Sequence, residues 1–329
     1  MTLGWGVLGT GAHVTRWMLP ALGRALDTRL AAVCSRDLGR AQALVGQFNV
    51  ARAYDNYEEL LRDSAVDVVY VCTPNALHAE QAIQAARAGK HVLVEKPMAL
   101  RVGDAEAMVE ACEKAGVRLG VGFHLRHHPA HRDARELIQG GRLGKAILYA
   151  AHWVVASSRR TGWWGDAAMV GAYVLMARGV HLMDLVCFLS GCEPASVSMA
   201  SDGQRPERPL EDMAVLTLKL GEAVFATLAV CRETAAQNSL VVYGTRGSLR
   251  AIGTIGPHPT GSIQVEMEGS TLDTNYHAKD PYQAEIEAFN RAVAAGVAPE
   301  ASGLDGLRVV RITEAALASA RTGTTVRIV

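Results

Sequence analysis

The chain has 329 residues, of which 49% are hydrophobic, so it is long enough for two domains that each bury a core. Lys and Arg together number 33, as do Asp and Glu, and the zero net charge argues against nucleic acid or an anionic membrane as a partner. No signal peptide is expected, and no apolar stretch approaches about 20 residues, so no transmembrane helix is predicted. The six cysteines include no C-x-x-C pair, which favours free thiols and a cytoplasmic location.

Short β-branched runs alternate with longer helical patterns over the first third of the chain. The strands are almost wholly apolar, as in Val68–Val71, which is typical of a parallel sheet covered by helices on both faces. This alternation predicts an α/β domain with a doubly wound parallel sheet (a Rossmann domain) over residues 1–122. The predicted strands are Leu3–Leu8, Arg29–Cys34, Val66–Cys72, His91–Glu95 and Val117–Gly122, and the predicted helices are Val14–Leu26, Leu38–Phe48, Ala76–Ala88 and Ala105–Ala115.

The pattern changes near residue 122, where runs of strands flanked by helices begin. This arrangement predicts an α+β domain with a mostly antiparallel open sheet over residues 123–329, and that sheet could also support a homo-oligomer. The predicted helices are His128–Gln139, Val180–Leu189, Tyr282–Ala295 and Gly306–Arg321, and the predicted strands include Ala146–Val155, Met213–Leu220, Ala223–Val230, Leu240–Tyr243 and Thr325–Val329.

A glycine-containing turn follows the first predicted strand directly and opens the first predicted helix. Gly9 permits a tight turn and Gly11 lets the backbone approach a pyrophosphate, while the helix N-terminus offers free N–H groups. Val14 occupies the third glycine position of the G-x-G-x-x-G fingerprint, so the match is partial. Its place in a βαβ unit predicts a dinucleotide site that includes Gly9, Thr10, Gly11, Ala12 and His13.

The residues after the second predicted strand discriminate between the two nicotinamide cofactors. A carboxylate at this point typically binds the ribose 2′-hydroxyl of NAD. Here Ser35 and Arg36 follow the strand and Arg40 lies one helical turn further on, and these groups suit the 2′-phosphate of NADP. We therefore predict NADP(H). The alternative, NAD(H), would make Asp37 the ribose ligand and leave the two arginines as solvated surface charges.

Several motifs along the chain resemble those of one known family, the Gfo/Idh/MocA oxidoreductases. The segments 72–78 (CTPNALH) and 95–97 (EKP) resemble its T-P-N-x-x-H loop and E-K-P motif. The resemblance continues in the segments 122–129, 179–185, 243–249 and 282–289, and 124–126 and 162–163 are most similar to one subfamily of sugar reductases. The resemblance implies that cofactor contacts include Cys72, Thr73, Pro74, Asn75, His78, Glu95, Lys96, Pro97, Trp163 and Tyr282.

The resemblance also implies the catalytic groups, with Lys96 as the catalytic lysine and His181 as the catalytic histidine. Hydride transfer to a carbonyl places negative charge on oxygen, which an ammonium group stabilises and a proton donor quenches. Lys96 follows a predicted parallel strand, at the edge where doubly wound sheets bind ligands. The family pattern further implies a cis Lys96-Pro97 bond, and substrate contacts at Lys96, His124, Trp163, His181 and Asp184.

The expected activity is hydride transfer between NADP(H) and a carbonyl or hydroxyl carbon of a small molecule, either a sugar, a polyol or a related cyclic ketone. One departure from the family pattern is Ala177, which stands where relatives commonly have an Asp one helical turn before the histidine. Tyr173, Arg178 or Asp184 could compensate for its absence. Two alternatives stay open, namely reduction of a conjugated or imine bond and a non-catalytic NAD(P)-binding sensor.

Four histidines, His124, His127, His128 and His131, have the spacing of one helical face, which could hold zinc. Pro129 interrupts that face and His124 falls at the end of a strand, so no metal site is predicted. We expect His124 to belong to the substrate pocket.

Overall fold

The computed structural model describes residues 1–159, 161–204, 206–234, 236–277 and 280–329. The chain divides into two compact units. Unit 1 consists of Met1–Phe123 and Tyr282–Leu307, and unit 2 consists of His124–Pro281 and Arg308–Val329. Residues 123–329 were predicted to form one domain, whereas in the structure Tyr282–Leu307 belongs to unit 1.

Unit 1 contains a six-stranded sheet, counted over the described residues, with the order β3-β2-β1-β4-β5-β6 and parallel pairing throughout. This confirms the predicted doubly wound sheet. The order reverses between β1 and β4, which is the point where such sheets bind ligands at the carboxyl ends of the strands. The strands are β1 (Leu3–Leu8), β2 (Thr28–Cys34), β3 (Arg52–Tyr54), β4 (Val68–Val71), β5 (His91–Val94) and β6 (Leu119–Val121).

The helices of unit 1 connect these strands. The first helix begins directly after Gly11 and is π-helical over Val14–Met18 before it continues as α1. The helix after β2 begins at Asp37, whose side chain caps it, and is followed by Asn49 in the left-handed conformation. The helices are α1 (Leu19–Arg24), α2 (Leu38–Phe48), α3 (Tyr57–Arg62), α4 (His78–Arg87) and α5 (Val102–Ala115).

The segment that returns from the C-terminal part of the chain completes the core of unit 1. The indole of Trp5, which is fully buried, packs edge-on against Phe289 with ring centroids 5.8 Å apart. Its Nε1 donates a hydrogen bond to Asn290 Oδ1 at 3.2 Å. Ile286 lies in the same hydrophobic cluster. These contacts explain why this helix belongs to unit 1, since the apolar surface of Trp5 would otherwise face water.

Unit 2 contains a nine-stranded sheet, again counted over the described residues, with the order β14-β13-β12-β11-β7-β10-β9-β8-β15. Its pairs are antiparallel except for β7 with β10, so the predicted mostly antiparallel sheet is confirmed. The strands are β7 (Ala146–Val154), β8 (Pro194–Ser201), β9 (Met213–Leu220), β10 (Val224–Cys231), β11 (Ser239–Gly244), β12 (Gly247–Ile252), β13 (Thr260–Met267), β14 (Ser270–His277) and β15 (Val326–Arg327).

One face of this sheet is buried and the other is open. Along β9 the residues alternate strictly between buried and exposed over most of the strand, as period-two side chains do. The remaining helices are α6 (Pro129–Gln139), α7 (Ala167–Val170), α8 (Val180–Ser190), α9 (Pro281–Ala295) and α10 (Gly303–Thr322), and the division between the units falls within α10.

The helical segment Ala167–Ser190 is long and apolar enough to cross a membrane by length and composition, which the sequence analysis did not expect of any segment. In the structure, 89% of its most apolar window is buried inside the protein. A buried helix that is apolar all round is typical of the core of a soluble protein. Its hydropathy is therefore explained by burial in unit 2.

Candidate functional site

The glycine turn after β1 has the geometry that the sequence predicted. Gly9 has a φ of +115°, and a Cβ atom built there would lie 2.3 Å from the carbonyl oxygen of Cys72. A Cβ built on Gly11 would meet no atom within 4 Å, so the backbone at this point faces open space. The first helix begins here, with Thr15 N bonded to Gly11 O at 3.1 Å. Open space beside free N–H groups fits a pyrophosphate.

The segment after β2 lies beside this turn. Thr10 Oγ1 donates to Ser35 Oγ at 3.2 Å, which joins the two segments. The Asp37 carboxylate accepts a hydrogen bond from the backbone N–H of Arg40 at 3.2 Å and so caps α2. Arg36 and Arg40 are exposed. The Asp37 side chain is 63% exposed and its Oδ2 lies 3.9 Å from Arg40 Nε. Exposed guanidinium groups beside this segment suit a phosphate.

The loop after β4 contacts the side chain of His78, which is 1% exposed. Its Nδ1 lies 2.8 Å from the carbonyl oxygen of Pro97 and its Nε2 lies 2.9 Å from that of Thr73. His78 thus joins the predicted T-P-N loop to the predicted E-K-P loop. Burial lowers the pKa of this imidazole. The structure gives His78 a buried position between the loops, and its predicted cofactor contact stays a prediction.

The other residues of that loop, Cys72 to Asn75, also follow the carboxyl end of β4. Thr73 Oγ1 donates to Gln81 Oε1 at 2.6 Å, and Asn75 is buried. Burial raises the pKa of the Cys72 thiol, so this group is neutral at ordinary pH. The predicted cofactor contacts of Cys72, Thr73, Pro74 and Asn75 stay predictions.

The carboxylate of Glu95 is the centre of a compact cluster at the carboxyl ends of the strands. Its Oε1 accepts a hydrogen bond from Tyr70 Oη at 2.6 Å and lies 3.1 Å from His13 Nε2. Its Oε2 accepts from the backbone N–H of Lys96 at 3.1 Å. A Cβ atom on Gly122 would lie 2.9 Å from Oε1. We call these five residues the Glu95 cluster, and it fixes the backbone at the start of the E-K-P loop.

The electrostatics of this cluster favour an ionised Glu95. Burial raises the pKa of Glu95, but the attraction of His13 and Lys96 and the hydrogen bond from Tyr70 outweigh it and hold the pKa well below its ordinary value. The carboxylate is therefore negative at any pH at which the protein would work. The predicted contact of Glu95 with the cofactor stays a prediction, and the structure shows the contacts of Glu95 within this cluster.

Lys96 follows β5 at the same edge of the sheet, and the Lys96-Pro97 bond is cis, as the resemblance implied. Tyr282, at the start of α9, packs against the first helix of unit 1. Its ring lies 5.5 Å from that of His13 and stacks on Trp17 at 5.9 Å. Tyr282 is 4% exposed, so its ring belongs mainly to the core of unit 1.

In unit 2, His181 lies in α8 among aromatic rings. Its ring centroid lies 4.8 Å from that of His124, in an edge-on arrangement, and 5.3 Å from that of Trp153. His124 Nε2 lies 3.1 Å from the carbonyl oxygen of Gly256, and both imidazoles are 3% exposed. The structure thus brings together two of the predicted substrate residues, and a pair of imidazoles can exchange a proton with a ligand near neutral pH.

Asp184 was predicted to contact substrate, and in the structure its carboxylate forms a buried ion pair. Its carboxylate is 1% exposed, and Arg126 reaches both oxygens, with Nε at 2.8 Å from Oδ2 and Nη2 at 2.5 Å from Oδ1. A bidentate, buried ion pair of this kind satisfies both charges. Arg126 thus engages both oxygens of Asp184, and the predicted substrate contact stays a prediction.

The remaining predicted residues of unit 2 form an aromatic and cationic surface near the end of β7. Trp163 stacks on Trp164 with centroids 4.5 Å apart, and Trp164 contacts Tyr173 edge-on. The Arg159 guanidinium lies 5.1 Å from the centre of the Tyr173 ring. Arg178 donates to Ser157 Oγ at 3.0 Å and to the carbonyl of Cys231. Of the three groups proposed to replace the acid at Ala177, each therefore has another partner.

The histidines that could have formed a zinc site have separate partners. His128 Nδ1 accepts from Ala130 N at 3.1 Å and caps α6. His131 lies 2.7 Å from the carbonyl oxygen of Leu125 and 3.0 Å from the hydroxyl of Thr254. Within the part of the chain that the structure describes, no group of three His, Cys, Asp or Glu side chains is arranged to hold a metal ion.

Sequence reasoning missed three residues of these sites. Tyr70 was assigned only as an apolar strand residue, although a Tyr in a buried strand needs a partner for its hydroxyl. Gly122 follows β6, and its lack of a side chain leaves room for the Glu95 carboxylate, which is distant in sequence. Trp153 contacts His181 from β7. Only Tyr70 could have been recognised from the sequence. The contacts of Gly122 and Trp153 depend on which elements pack together in the fold.

Two sequence models of protein families match the chain. The model described as "Oxidoreductase family, NAD-binding Rossmann fold" (GFO_IDH_MocA) matches residues 3–123. The model described as "GFO/IDH/MocA C-terminal domain" matches residues 131–250. Together they cover most of both units.

Individual relatives are similar over nearly the whole chain. 1,5-Anhydro-D-fructose reductase of Ensifer adhaerens is 31% identical, over 97% of this chain and 96% of that protein. The crystal structure of an aldose-aldose oxidoreductase from Caulobacter crescentus with glycerol is 28% identical, with a TM-score of 0.92 over 99% of this chain and all of that one. The 3-ketoreductase KijD10 from Actinomadura kijaniata, solved with NADP and TDP-benzene, is 27% identical, with a TM-score of 0.87 over 98% of each chain.

Proposed function

Because the chain belongs to the Gfo/Idh/MocA family of NAD(P)-dependent oxidoreductases, we propose that it transfers a hydride between NADP(H) and a carbonyl or hydroxyl carbon of a sugar, polyol or related cyclic ketone. The observation that carries the proposal is the position of Lys96. It follows β5, at the carboxyl edge of a parallel sheet whose first strand ends in the glycine turn. The relatives named above, a reductase of a sugar ketone and an aldose oxidoreductase, support this substrate class.

The cofactor preference rests on the segment after β2. When bound, a reduced nicotinamide supplies the hydride. The turn at Gly9 and Gly11 would hold the pyrophosphate with backbone N–H groups, and the exposed Arg36 and Arg40 would bind the 2′-phosphate of NADP. The NADP bound to KijD10 supports the same preference.

The chain's own groups would carry out the rest of the chemistry. The Lys96 ammonium would stabilise the charge that develops on the substrate oxygen as hydride arrives, and would do so best where water is excluded. His181 would deliver the proton to that oxygen, and would remove it in the reverse direction. The ring of His124 beside His181 would limit the orientations open to the imidazole.

Replacement of the lysine tests the proposal. Lys96→Ala removes the ammonium group, so we expect turnover of NADPH with a sugar ketone to fall by roughly 100- to 1,000-fold or more. NADPH binding, measured by quenching of protein fluorescence, should survive because the backbone turn is intact. Lys114→Ala, at an exposed lysine paired with Glu110, is the matched control and should leave turnover unchanged. Turnover by Lys96→Ala at the wild-type rate would refute the assignment.

Ala177 supports a second candidate within the same family. An alanine one helical turn before His181 can neither orient the imidazole nor share its proton. Reduction of a conjugated or imine bond depends less on delivery of a proton to a substrate oxygen by His181. Assays of NADPH oxidation with sugar ketones and with non-sugar enones and imines separate the two candidates.

We further propose a cytoplasmic enzyme that acts as a homo-oligomer through the open face of the sheet in unit 2. All six cysteines are free thiols, which suits a reducing compartment. The open face carries exposed apolar side chains from neighbouring strands, among them Val215, Phe225 and Tyr243. The exposed apolar side chains support a second copy of the chain as the partner.

A further inference from the structure

His13 lies in the glycine turn, where the sequence suggests only backbone contacts to a cofactor. Its Nε2 atom, however, is buried and faces Glu95, although 32% of the side chain is exposed. The Nε2 atom lies 3.1 Å from Glu95 Oε1, and the ring packs edge-on against Tyr282. The side chain of Glu95 is only 8% exposed. A histidine of the cofactor turn therefore makes close electrostatic contact with the residue that directly precedes Lys96.

The Glu95 carboxylate has little freedom to move. Tyr70 Oη donates to Oε1 at 2.6 Å, and the backbone N–H of Lys96 donates to Oε2 at 3.1 Å. Gly122 leaves no spare room on the remaining side, since even a Cβ there would come within 2.9 Å of Oε1. Because both oxygens of the Glu95 carboxylate are held, a change in the partner of one oxygen affects the hydrogen bond of the other. Here one side is His13 and the other is the backbone of Lys96.

We propose that His13 is a positioning residue for Lys96, which it holds in place by fixing the Glu95 carboxylate. The same turn that binds the pyrophosphate thereby sets the place of the ammonium group. This role rests on the proposed function, because it assumes that Lys96 acts on the substrate oxygen.

The physical reason is that the Glu95 carboxylate and the substrate oxygen both attract the ammonium group of Lys96. A buried carboxylate is costly unless opposite charge or hydrogen bonds compensate it. His13 and Lys96 are the two basic groups that lower the pKa of Glu95. Without His13, the remaining compensation comes from the neutral Tyr70 hydroxyl and from Lys96 itself. The ammonium group would then be drawn toward Glu95 and away from the substrate oxygen.

Three substitutions at His13 test the proposal. His13→Leu keeps the approximate volume but removes the donor, so kcat should fall by up to about 100-fold. The KM for NADPH should stay near the wild-type value, because the backbone of the turn is unchanged. His13→Gln places an amide N–H at a similar reach and should restore much of kcat. His13→Asn, whose amide is shorter, should resemble His13→Leu.

A second readout needs neither cofactor nor turnover. Hydrogen exchange of the Lys96 amide, followed in the free protein, should be faster in His13→Leu and close to wild type in His13→Gln. Amides of Val92–Val94 in β5 serve as the internal control and should not change. Circular dichroism checks that each variant folds. If His13→Leu does not fold, the comparison of His13→Gln with His13→Asn provides the test.

The outcomes distinguish the two proposals. Unchanged kcat and unchanged Lys96 exchange in His13→Leu, or equal losses in His13→Gln and His13→Leu, would overturn the positioning role. Faster Lys96 exchange that is restored by His13→Gln, in a wild-type protein that turns over no sugar, would refute the proposed function. The contact between His13, Glu95 and Lys96 would still be supported.

Discussion

At the scale of single residues, the surroundings of His131 keep its buried ring neutral. The environment of His131 selects one neutral tautomer, because Nδ1 must donate to the carbonyl of Leu125 and Nε2 can accept from the Thr254 hydroxyl. Burial lowers the pKa of His131 to about 3, and His128 and His124 add repulsion. The folded protein therefore holds this ring neutral at every pH down to strongly acidic conditions.

This predicts a pH dependence of stability. The unfolded chain binds a proton at His131 below pH ~6.5, whereas the folded chain does so only near pH 3. The stabilisation is therefore complete above pH ~6.5 and is lost as pH falls, by about 1.4 kcal/mol per pH unit for this group. Thermal unfolding of His131→Gln between pH 7.5 and pH 5 should show a weaker dependence than the wild type.

His277→Gln is the control for that measurement, because His277 is exposed and should leave the slope unchanged. A wild-type melting temperature that does not fall between pH 7 and pH 5 would contradict the neutral assignment. The same pH dependence of the melting temperature in His131→Gln and the wild type would also contradict it.

At the scale of elements, the turn after β1 depends on the glycine at its start. In Gly9→Ala the methyl group would collide with the carbonyl of Cys72 and the backbone would keep a φ of +115° that L side chains rarely adopt. We expect a loss of about 1–3 kcal/mol in the free energy of unfolding. Urea denaturation measures this.

Gly46 provides the matched comparison, since it lies within α2 and a Cβ there would meet no atom within 4 Å. Gly46→Ala should raise the free energy of unfolding by about 0.5–1 kcal/mol. If both variants shifted stability in the same direction by similar amounts, the account of the turn would be wrong.

The sequence predicted the elements that carry a strong local signal. The limits of β1, α2 and β9 coincide with the prediction, because apolar periodicity and caps mark them. The short elements β3 and α3 were missed, since three and six residues give too little pattern. The return of Tyr282–Leu307 to unit 1 could not be predicted, because it depends on Trp5 packing against Phe289, a contact without a local signature.

In the candidate site too, features with a local sequence motif were predicted and contacts between distant residues were not. Motifs located the turn at Gly9 and the E-K-P loop, since both depend on a few adjacent residues. The partners of Glu95 could not be predicted, because His13 and Tyr70 come from other strand ends. The ion pair of Asp184 could not be predicted either, because its partner Arg126 lies 58 residues away.

At the scale of the whole molecule, the open face of the nine-stranded sheet is the surface that needs an explanation. Phe225 is paired in register with Leu148, which in turn is opposite Tyr243, and Val215 is opposite Ala229. Phe225, Tyr243 and Val215 are 43–48% exposed. Exposed apolar side chains on one face of a sheet are typical of an interface. A second copy could place the same strands against them.

A charge on that face should therefore prevent association. Phe225→Lys is expected to convert the oligomer to a monomer, because an unpaired ammonium group would be buried at the interface. Light scattering coupled to size-exclusion chromatography gives the mass in solution. Leu272→Lys, at an equally exposed position on the edge strand β14, should keep the oligomer. A wild-type protein that is monomeric at micromolar concentration would contradict the proposed assembly.

The central claim is that a hydride passes from the bound cofactor to a carbonyl carbon of a sugar. Mass spectrometry of the product formed from 1,5-anhydro-D-fructose, or from another sugar ketone, tests it when NADPH carries deuterium at the transferable C4 position. The account predicts one deuterium on the new carbinol carbon, with much less product when deuterated NADH replaces NADPH at equal concentration. NADPH that binds but is never oxidised, or a product without deuterium, would contradict it.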